Sequence, residues 1–268
     1  MTAQILDGRA LASALLARLK GETAGLQRPP ATLAVVWMGE DASAASYRKG
    51  LAKACAAAGA VLAECGLRSS DGESALLAEI RRLNADPVID GVLVQTPLPA
   101  GVSLGKAASL LDPAKDAEGI SPAVVPCTAR AAFALVQASG VALKGAEAVV
   151  VGRSETVGKP TSLLLSDAGC TVTLCRSTTR DLAFHTRRAE VLVVAAGRAG
   201  LVRHDMLKPG AVVVDVGIHV VDGKVVGDVD AASASSVAGW LTPVPGGVGP
   251  LTSAMIVERA VRSALARR

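Results

Sequence analysis

Ala148–Pro160 reads AVVVGRSETVGKP. Three valines run into a glycine, a polar turn follows, and Thr161–Ala168 continues with a helix-like pattern. A short apolar run of this kind is a buried parallel strand. Gly152 and Gly158 let the backbone turn sharply and approach a ligand closely. The helix start that follows offers unpaired N–H groups and a positive dipole end, a seat for a phosphate. The spacing is Gly-x-Ser-x-x-x-Gly rather than Gly-x-Gly-x-x-Gly, so alone it also fits an ordinary glycine turn between strand and helix.

A second strand follows at Thr171–Cys175 and ends in Arg176-Ser177-Thr178-Thr179. In a dinucleotide fold, the residue about 20 positions past the glycine turn meets the adenosine ribose. An acid there suits the 2′-hydroxyl of NAD. Here Arg176 and Ser177 stand at that place, with Arg153 in the turn itself. Cations and hydroxyls suit a 2′-phosphate, so the pattern points to NADP over NAD; the alternative is that these arginines are simply solvated.

The 268 residues suffice for a large core in one or two domains. Half are hydrophobic and only 2% aromatic, so that core must be built from Ala, Val and Leu. A net charge of +4 with no basic run interleaved with aromatics argues against nucleic acid as a partner. No apolar run reaches the roughly 18 residues of a membrane span, and the N-terminus carries no secretory pattern. The five cysteines form no Cys-x-x-Cys pair. They are expected as reduced thiols in a cytoplasmic protein, and the three scattered histidines suggest no metal.

Elsewhere helix and strand patterns alternate. Helices are expected over Gln4–Leu19 (capped by Asp7), Ala42–Gly59, Asp71–Leu83, Leu104–Leu111, Ala129–Gly140 and Leu251–Ala266. Strands are expected at Thr32–Met38, Val61–Gly66, Gly91–Gln95, Val191–Ala195 and Ala211–Val216, with a hairpin at Val220–Val226. A break falls at Arg28-Pro29-Pro30, and Asp112–Pro126 reads as a linker. Repeated βα units mean parallel sheets with right-handed crossovers. The expected class is therefore α/β, in two domains with a ligand cleft between them.

The chain resembles the bifunctional methylenetetrahydrofolate dehydrogenase/cyclohydrolase family. The matching segments span nearly its whole length: Gly39-Glu40-Asp41 leading to Tyr47, Val94–Pro99 (VQTPLP), Lys115-Asp116 with Glu118-Gly119, and Pro126-Cys127-Thr128. Later come Val151–Ser154 with Val157-Gly158, Asp215–Ile218, Gly227–Asp230 and Thr242–Pro250, TPVPGGVGP, a highly specific signature. The resemblance implies a folate domain over residues 1–122 completed by 250–268, a Rossmann-like NADP domain with a parallel sheet over 123–249, and a homodimer. It implies Gly152, Arg153, Ser154, Ser177 and Ile218 as cofactor contacts, to which the turn and the end of the second strand add Gly158 and Arg176. Tyr47 and Gln95 are implied at the reacting end, and Glu118, Pro245, Gly246 and Gly247 against the folate. The family oxidises 5,10-methylenetetrahydrofolate to the methenyl form and hydrolyses that to 10-formyltetrahydrofolate.

The sequence departs from the pattern around the folate. The family's Tyr-x-x-x-Lys-x-Lys-x-Cys aligns without gaps on Tyr47–Cys55 and puts Leu51 where the catalytic lysine belongs. Residues i and i+4 share a helical face, so Lys49 and Lys53 point elsewhere; rescue by Lys49 would require the helix to unwind near Gly50. Glu118 replaces an aspartate, keeping a carboxylate that can accept two parallel N–H bonds. The chain is much shorter between Pro122 and Pro126, and His219 replaces an asparagine. The expectation is an NADP-dependent dehydrogenase with weak or lost cyclohydrolase activity. The rivals are a non-catalytic or regulatory NADP- or folate-binding member and a dehydrogenase of another substrate. Each residue also has a plainer reading: Tyr47 as packing, Gln95 as a partner for strand-end backbone, Glu118 as a solvated acid, and Thr242–Pro250 as a rigid loop.

Overall fold

Apolar strands alternating with helices build two parallel sheets, each in its own unit of the chain. The structure, a computed structural model, describes residues 2–24, 29–39 and 42–267. Arg28 of the expected break and the Glu40-Asp41 pair of the family pattern lie outside the described residues.

In chain order the first elements are β1 (Gln4–Ile5), α1 (Gly8–Thr23), β2 (Thr32–Met38), α2 (Ala42–Ala57), β3 (Val61–Leu67), α3 (Gly72–Ala85), β4 (Gly91–Val94) and α4 (Leu104–Leu110). Then come α5 (Cys127–Ala138), β5 (Glu147–Val151), α6 (Gly158–Asp167), β6 (Thr171–Cys175), α7 (Leu182–Thr186), β7 (Val191–Val194) and β8 (Val212–Asp215). The last are β9 (His219–Val221), β10 (Lys224–Val226), α8 (Ala231–Ala234), β11 (Trp240–Leu241) and α9 (Val248–Ala266).

Unit one takes the chain up to Leu11 together with Thr128–Thr252. Its six-stranded sheet has the order β1-β11-β8-β7-β5-β6, every pair parallel. Apart from Glu147 at the start of β5 and Asp215 at the end of β8, the strands β5, β7 and β8 are runs of Val, Leu and Ala, as strands covered on both faces require. The helix expected from Gln4 begins only at Gly8. Gln4–Ile5 is a strand instead, because the N–H groups of Gln4 and Leu6 donate to Gly239 and Leu241. This pairing puts residues 1–11 with the second half of the chain rather than with 12–122. Asp7 caps α1, its Oδ1 accepting the N–H groups of Arg9 (2.9 Å) and Ala10 (3.1 Å).

Unit two comprises Ala12–Cys127 and the chain from Ser253 onward. Its parallel sheet has the order β3-β2-β4, with β2 central. Leu76, Ile80 and Leu83 of α3 pack against Ala34, Val36, Val92 and Val94 of the sheet. Gly91 makes room for α9, since a Cβ there would stand 2.9 Å from that of Ala260.

Asp112–Pro126 is not a linker. Val92 bridges Asp116 in parallel, extending the sheet beyond β4. Lys115 is buried, and its ammonium donates to the carbonyls of Leu83, Asn84 and Asp86 at 2.7–2.9 Å. The stretch lacks periodicity, yet its Lys115 and Asp116 are buried and paired.

Candidate active site

Two groups of residues matter, one in each unit. In unit one, the turn after β5 is shaped by backbone crowding. Gly152 has φ of 120°, and a Cβ there would lie 2.0 Å from the Ala195 carbonyl oxygen. A Cβ on Gly158 would lie 1.9 Å from the Gly152 oxygen. No side chain fits at either place. The Ser154 hydroxyl accepts the N–H groups of Val157 (3.2 Å) and Gly158 (3.3 Å), which folds the turn onto the start of α6. Arg153 and Ser154 are exposed in the turn. Arg176 and Ser177 are exposed just past β6, the strand paired with β5, and Thr179 Oγ1 accepts the Arg176 N–H. Ile218, 64% exposed, follows the neighbouring end of β8.

Behind these loops lie two buried aspartates. Asp215 accepts N–H groups from Gly217, Asp228 and Val229 at 2.8–3.0 Å. Asp228 accepts those of Ala196, Gly197 and Arg198, and its Oδ1 lies 2.7 Å from His219 Nε2. Burial pushes the Asp215 carboxyl up to about 6, with the Asp228 charge adding to it and the three N–H donors opposing. The pair therefore ties three loop segments together: 196–198, 215–219 and 227–229. Both aspartates lie in segments that the resemblance marks, but their mutual bracing depends on chain thirteen residues apart, which no periodicity reports.

The Pro245–Gly247 turn also lies in unit one. Its Gly246 has φ of 122° and accepts the Arg9 N–H at 3.2 Å. Gly8 packs so closely that a Cβ there would stand 1.8 Å from the Gly247 oxygen.

In unit two, α2 is unbroken from Ala42 to Ala57. Tyr47 is half-buried, with Ser253 of α9 near its phenol. Burial first, and then the nearby Glu118 charge, push that phenol well above its ordinary value. Tyr47 is thus a neutral donor, with Glu118 close by. One turn on, Leu51 is fully buried, while Lys49 and Lys53 are exposed. The unwinding that would deliver Lys49 is absent.

Glu118 sits on a tight strap. The Asp116 carboxylate accepts the N–H groups of Gly119 and Ser121, both at 2.7 Å. Arg259 donates to the carbonyls of Asp116 and Val125, at 3.2 and 2.6 Å. Cys127 N–H donates to the Glu118 carbonyl, and a Cβ on Gly119 would stand 2.7 Å from Pro126 Cα. The short segment thus folds directly back on itself.

Gln95 is buried past the end of β4 and faces neighbours that no motif announces. Its Oε1 accepts from Arg48 Nη1 at 3.0 Å, and its Nε2 donates to the Ala44 carbonyl at 2.9 Å. Arg48 and Ser253 carry no motif of their own and meet these residues only through the fold.

A cavity of about 500 Å³ in unit two is lined by Asp90, Lys115, Arg259, Arg262 and Arg267 among others, and by none of the expected site residues. Arg262 there is paired with Glu22 and Arg267 with Asp90. Among the described residues, no cluster of three or more His, Cys, Asp or Glu could hold a metal ion, and no helix is long and apolar enough to cross a membrane.

Comparison with known proteins agrees over the whole length. Residues 6–118 match the family model for the catalytic domain of tetrahydrofolate dehydrogenase/cyclohydrolase, and residues 126–268 match that of its NAD(P)-binding domain. The bifunctional protein FolD of Acidiphilium cryptum is 46% identical over 280 residues, covering 100% of both chains. Among solved structures, the bifunctional FolD enzyme of Campylobacter jejuni superposes with a TM-score of 0.93 at 37% identity, covering 99% of this chain and 100% of its own. The Trypanosoma brucei methylenetetrahydrofolate dehydrogenase-cyclohydrolase, solved with NADP cofactor and an inhibitor, gives 0.93 at 34% identity, covering 100% of this chain and 99% of its own. With both of its domain models matched in order and relatives aligned end to end, this chain belongs to the tetrahydrofolate dehydrogenase/cyclohydrolase family.

Proposed function

We propose that this chain is an NADP-dependent 5,10-methylenetetrahydrofolate dehydrogenase in which hydrolysis of the methenyl product is weak or lost. The observation that carries the reading is Leu51, fully buried on an unbroken helix one turn from Tyr47. The crowding at Gly152 and Gly158 supports the cofactor half, since it leaves a backbone surface that a pyrophosphate can approach.

NADP, when bound, supplies the acceptor for a hydride. The protein's tasks are then positional. Gly152, Ser154 and Gly158 form the phosphate turn. Arg153, Arg176 and Ser177 take the 2′-phosphate, and Ile218 lends an apolar edge. Glu118 takes the amino-amide edge of the pterin, with Pro245, Gly246 and Gly247 against the folate. Tyr47 offers a neutral phenol and Gln95 an amide to orient the substrate.

The reacting carbon lies between two nitrogens, and a nitrogen lone pair stabilises the cation left by the hydride. No proton leaves that carbon, so positioning supplies most of the catalysis. Hydrolysis instead requires an activated water and a group that exchanges protons near neutral pH. Leu51 has no such group, and the phenol of Tyr47 is shifted the wrong way for a base.

The test supplies purified protein with NADP and methylenetetrahydrofolate and follows reduced cofactor and methenyl product separately. Reduced cofactor is expected to appear with accumulating methenyl product. Enzymatic conversion of methenyl to formyl product well above the buffer rate overturns the monofunctional reading. Glu118 and its tight strap favour a second reading, a dehydrogenase of a different substrate. Absence of any thermal shift with folates, together with a retained shift with NADP, would support that instead. The homodimer that the resemblance implies is checked by light scattering after size exclusion.

A further inference from the structure

We propose that Arg48 is a positioning residue that fixes the side-chain amide of Gln95 for the substrate. This rests on the dehydrogenase reading of the same site. Gln95 is only 5% exposed, and its backbone N–H is held by the Val36 carbonyl. Its side chain is free to turn only about its own torsions, and an amide presents a donor at one end and an acceptor at the other.

A guanidinium donates and never accepts. The 3.0 Å contact from Arg48 Nη1 therefore requires the oxygen of Gln95 on that side. The nitrogen then faces the Ala44 carbonyl, 2.9 Å away, which can only accept. Both contacts agree on one orientation, and reversing the amide would break both. One N–H of Gln95 is left over, on an amide whose carbonyl is polarised by a full positive charge, which makes that N–H a stronger donor.

The guanidinium is itself held on two further sides. Its Cζ lies 4.0 Å from the ring centroid of Trp37, and its Nε lies 3.6 Å from Glu64 Oε2. Space for the Trp37 ring comes from Gly66, where a Cβ would stand 2.6 Å from Trp37 Cζ2. The Arg48 side chain is 13% exposed, so its charge is screened little by water. Arg48 brings a permanent cation to Gln95 on the very helix where Leu51 has no charge. A guanidinium stays protonated at all working pH, so it can orient an amide but cannot serve as the base of a hydrolysis.

The experiment compares Arg48→Met, Arg48→Lys, Gln95→Ala and the double variant Arg48→Met with Gln95→Ala. Arg48→Met is expected to lower kcat with methylenetetrahydrofolate by about ten- to a hundredfold, the cost of a misaligned group, and to leave KM for NADP unchanged. Arg48→Lys keeps the charge and should recover part of the rate. In the Gln95→Ala background, removing Arg48 should cost no more than about twofold, because the pathway of its effect is already gone. Independently of turnover, the Gln95 side-chain NH2 resonances, identified by their loss in Gln95→Ala, should move and exchange faster in Arg48→Met.

Multiplying effects in the double variant would overturn the proposal, as would unmoved Gln95 resonances. So would a lowered Tm in Arg48→Met with kcat per folded enzyme intact. A wild type with no dehydrogenase turnover would sink the functional reading instead, and the Gln95 resonances would still decide whether Arg48 sets the amide.

Discussion

In the proposed site, the turn after β5 offers backbone, whereas the region beside α2 offers side chains. Gly152 and Gly158 matter for the atoms they lack, and their neighbours are carbonyl oxygens that every residue carries. Tyr47, Gln95 and Glu118 matter for the atoms they bring, and their partners come from distant chain: Ser253, Arg48, and a strap pinned by Arg259. A backbone site survives changes around it so long as two or three glycines stay. A side-chain site can be rewritten by one substitution, as Leu51 would do to the hydrolytic step.

The sharpest way to break this contrast is Gly158→Ala. The new methyl would sit 1.9 Å from a backbone oxygen that cannot swing aside. We expect a loss of about 3 kcal/mol in stability and about a hundredfold in NADP affinity, read by urea unfolding and titration calorimetry. A near-neutral result would mean that the turn is softer than its geometry.

Leu51→Lys tests the other side. An amine at the family's position should raise methenyl hydrolysis by about a hundredfold, with a drop in Tm because the position is fully buried. Hydrolysis that stays at the buffer rate in a folded variant would show that more than one group was lost.

A smaller effect should separate the cofactors. Replacing Arg153 and Arg176 by Ala should raise KM for NADP by about tenfold each while leaving NAD kinetics alone. Equal losses for both cofactors would mean that the arginines hold the loop rather than a phosphate.

The smallest concerns the aspartates behind the turn. Asp215→Asn should cost about 1 kcal/mol at pH 7, because an amide nitrogen replaces an acceptor facing N–H donors. With its carboxyl at about 6, folded Asp215 keeps a proton between about pH 4 and 6 that the unfolded chain has already released. Stability from this group is therefore present below that window and lost as pH rises through about 6. The advantage of wild type over Asp215→Asn, followed by urea midpoints, should narrow from pH 4 to pH 7.

What the sequence made legible follows the same division. Thr32–Met38 and Ala148–Val151 are unmistakable because a strand covered on both faces is apolar without interruption. The glycine turn after β5 is legible because its glycines are local in sequence. Gln4–Ile5 and Trp240–Leu241 are two-residue strands that no periodicity can report, and each exists only through pairing with remote chain. Lys115 and Asp116 read as solvated connector, since nothing local shows that three carbonyls await the one and two N–H groups the other. Leu51 is visible as a departure from the family pattern, but its full burial is seen only in the fold. Arg48 was invisible, because only the fold carries Gln95 to it.

The edge strand β1 has a consequence for biosynthesis. Its two residues are translated long before the strand they dock against, Trp240–Leu241. All of the chain between them must be translated before that flank of the sheet can close, so β1 waits without its neighbour through that time. An amino-terminal fusion partner would therefore tax assembly at its last stage, long after the inner strands had found one another.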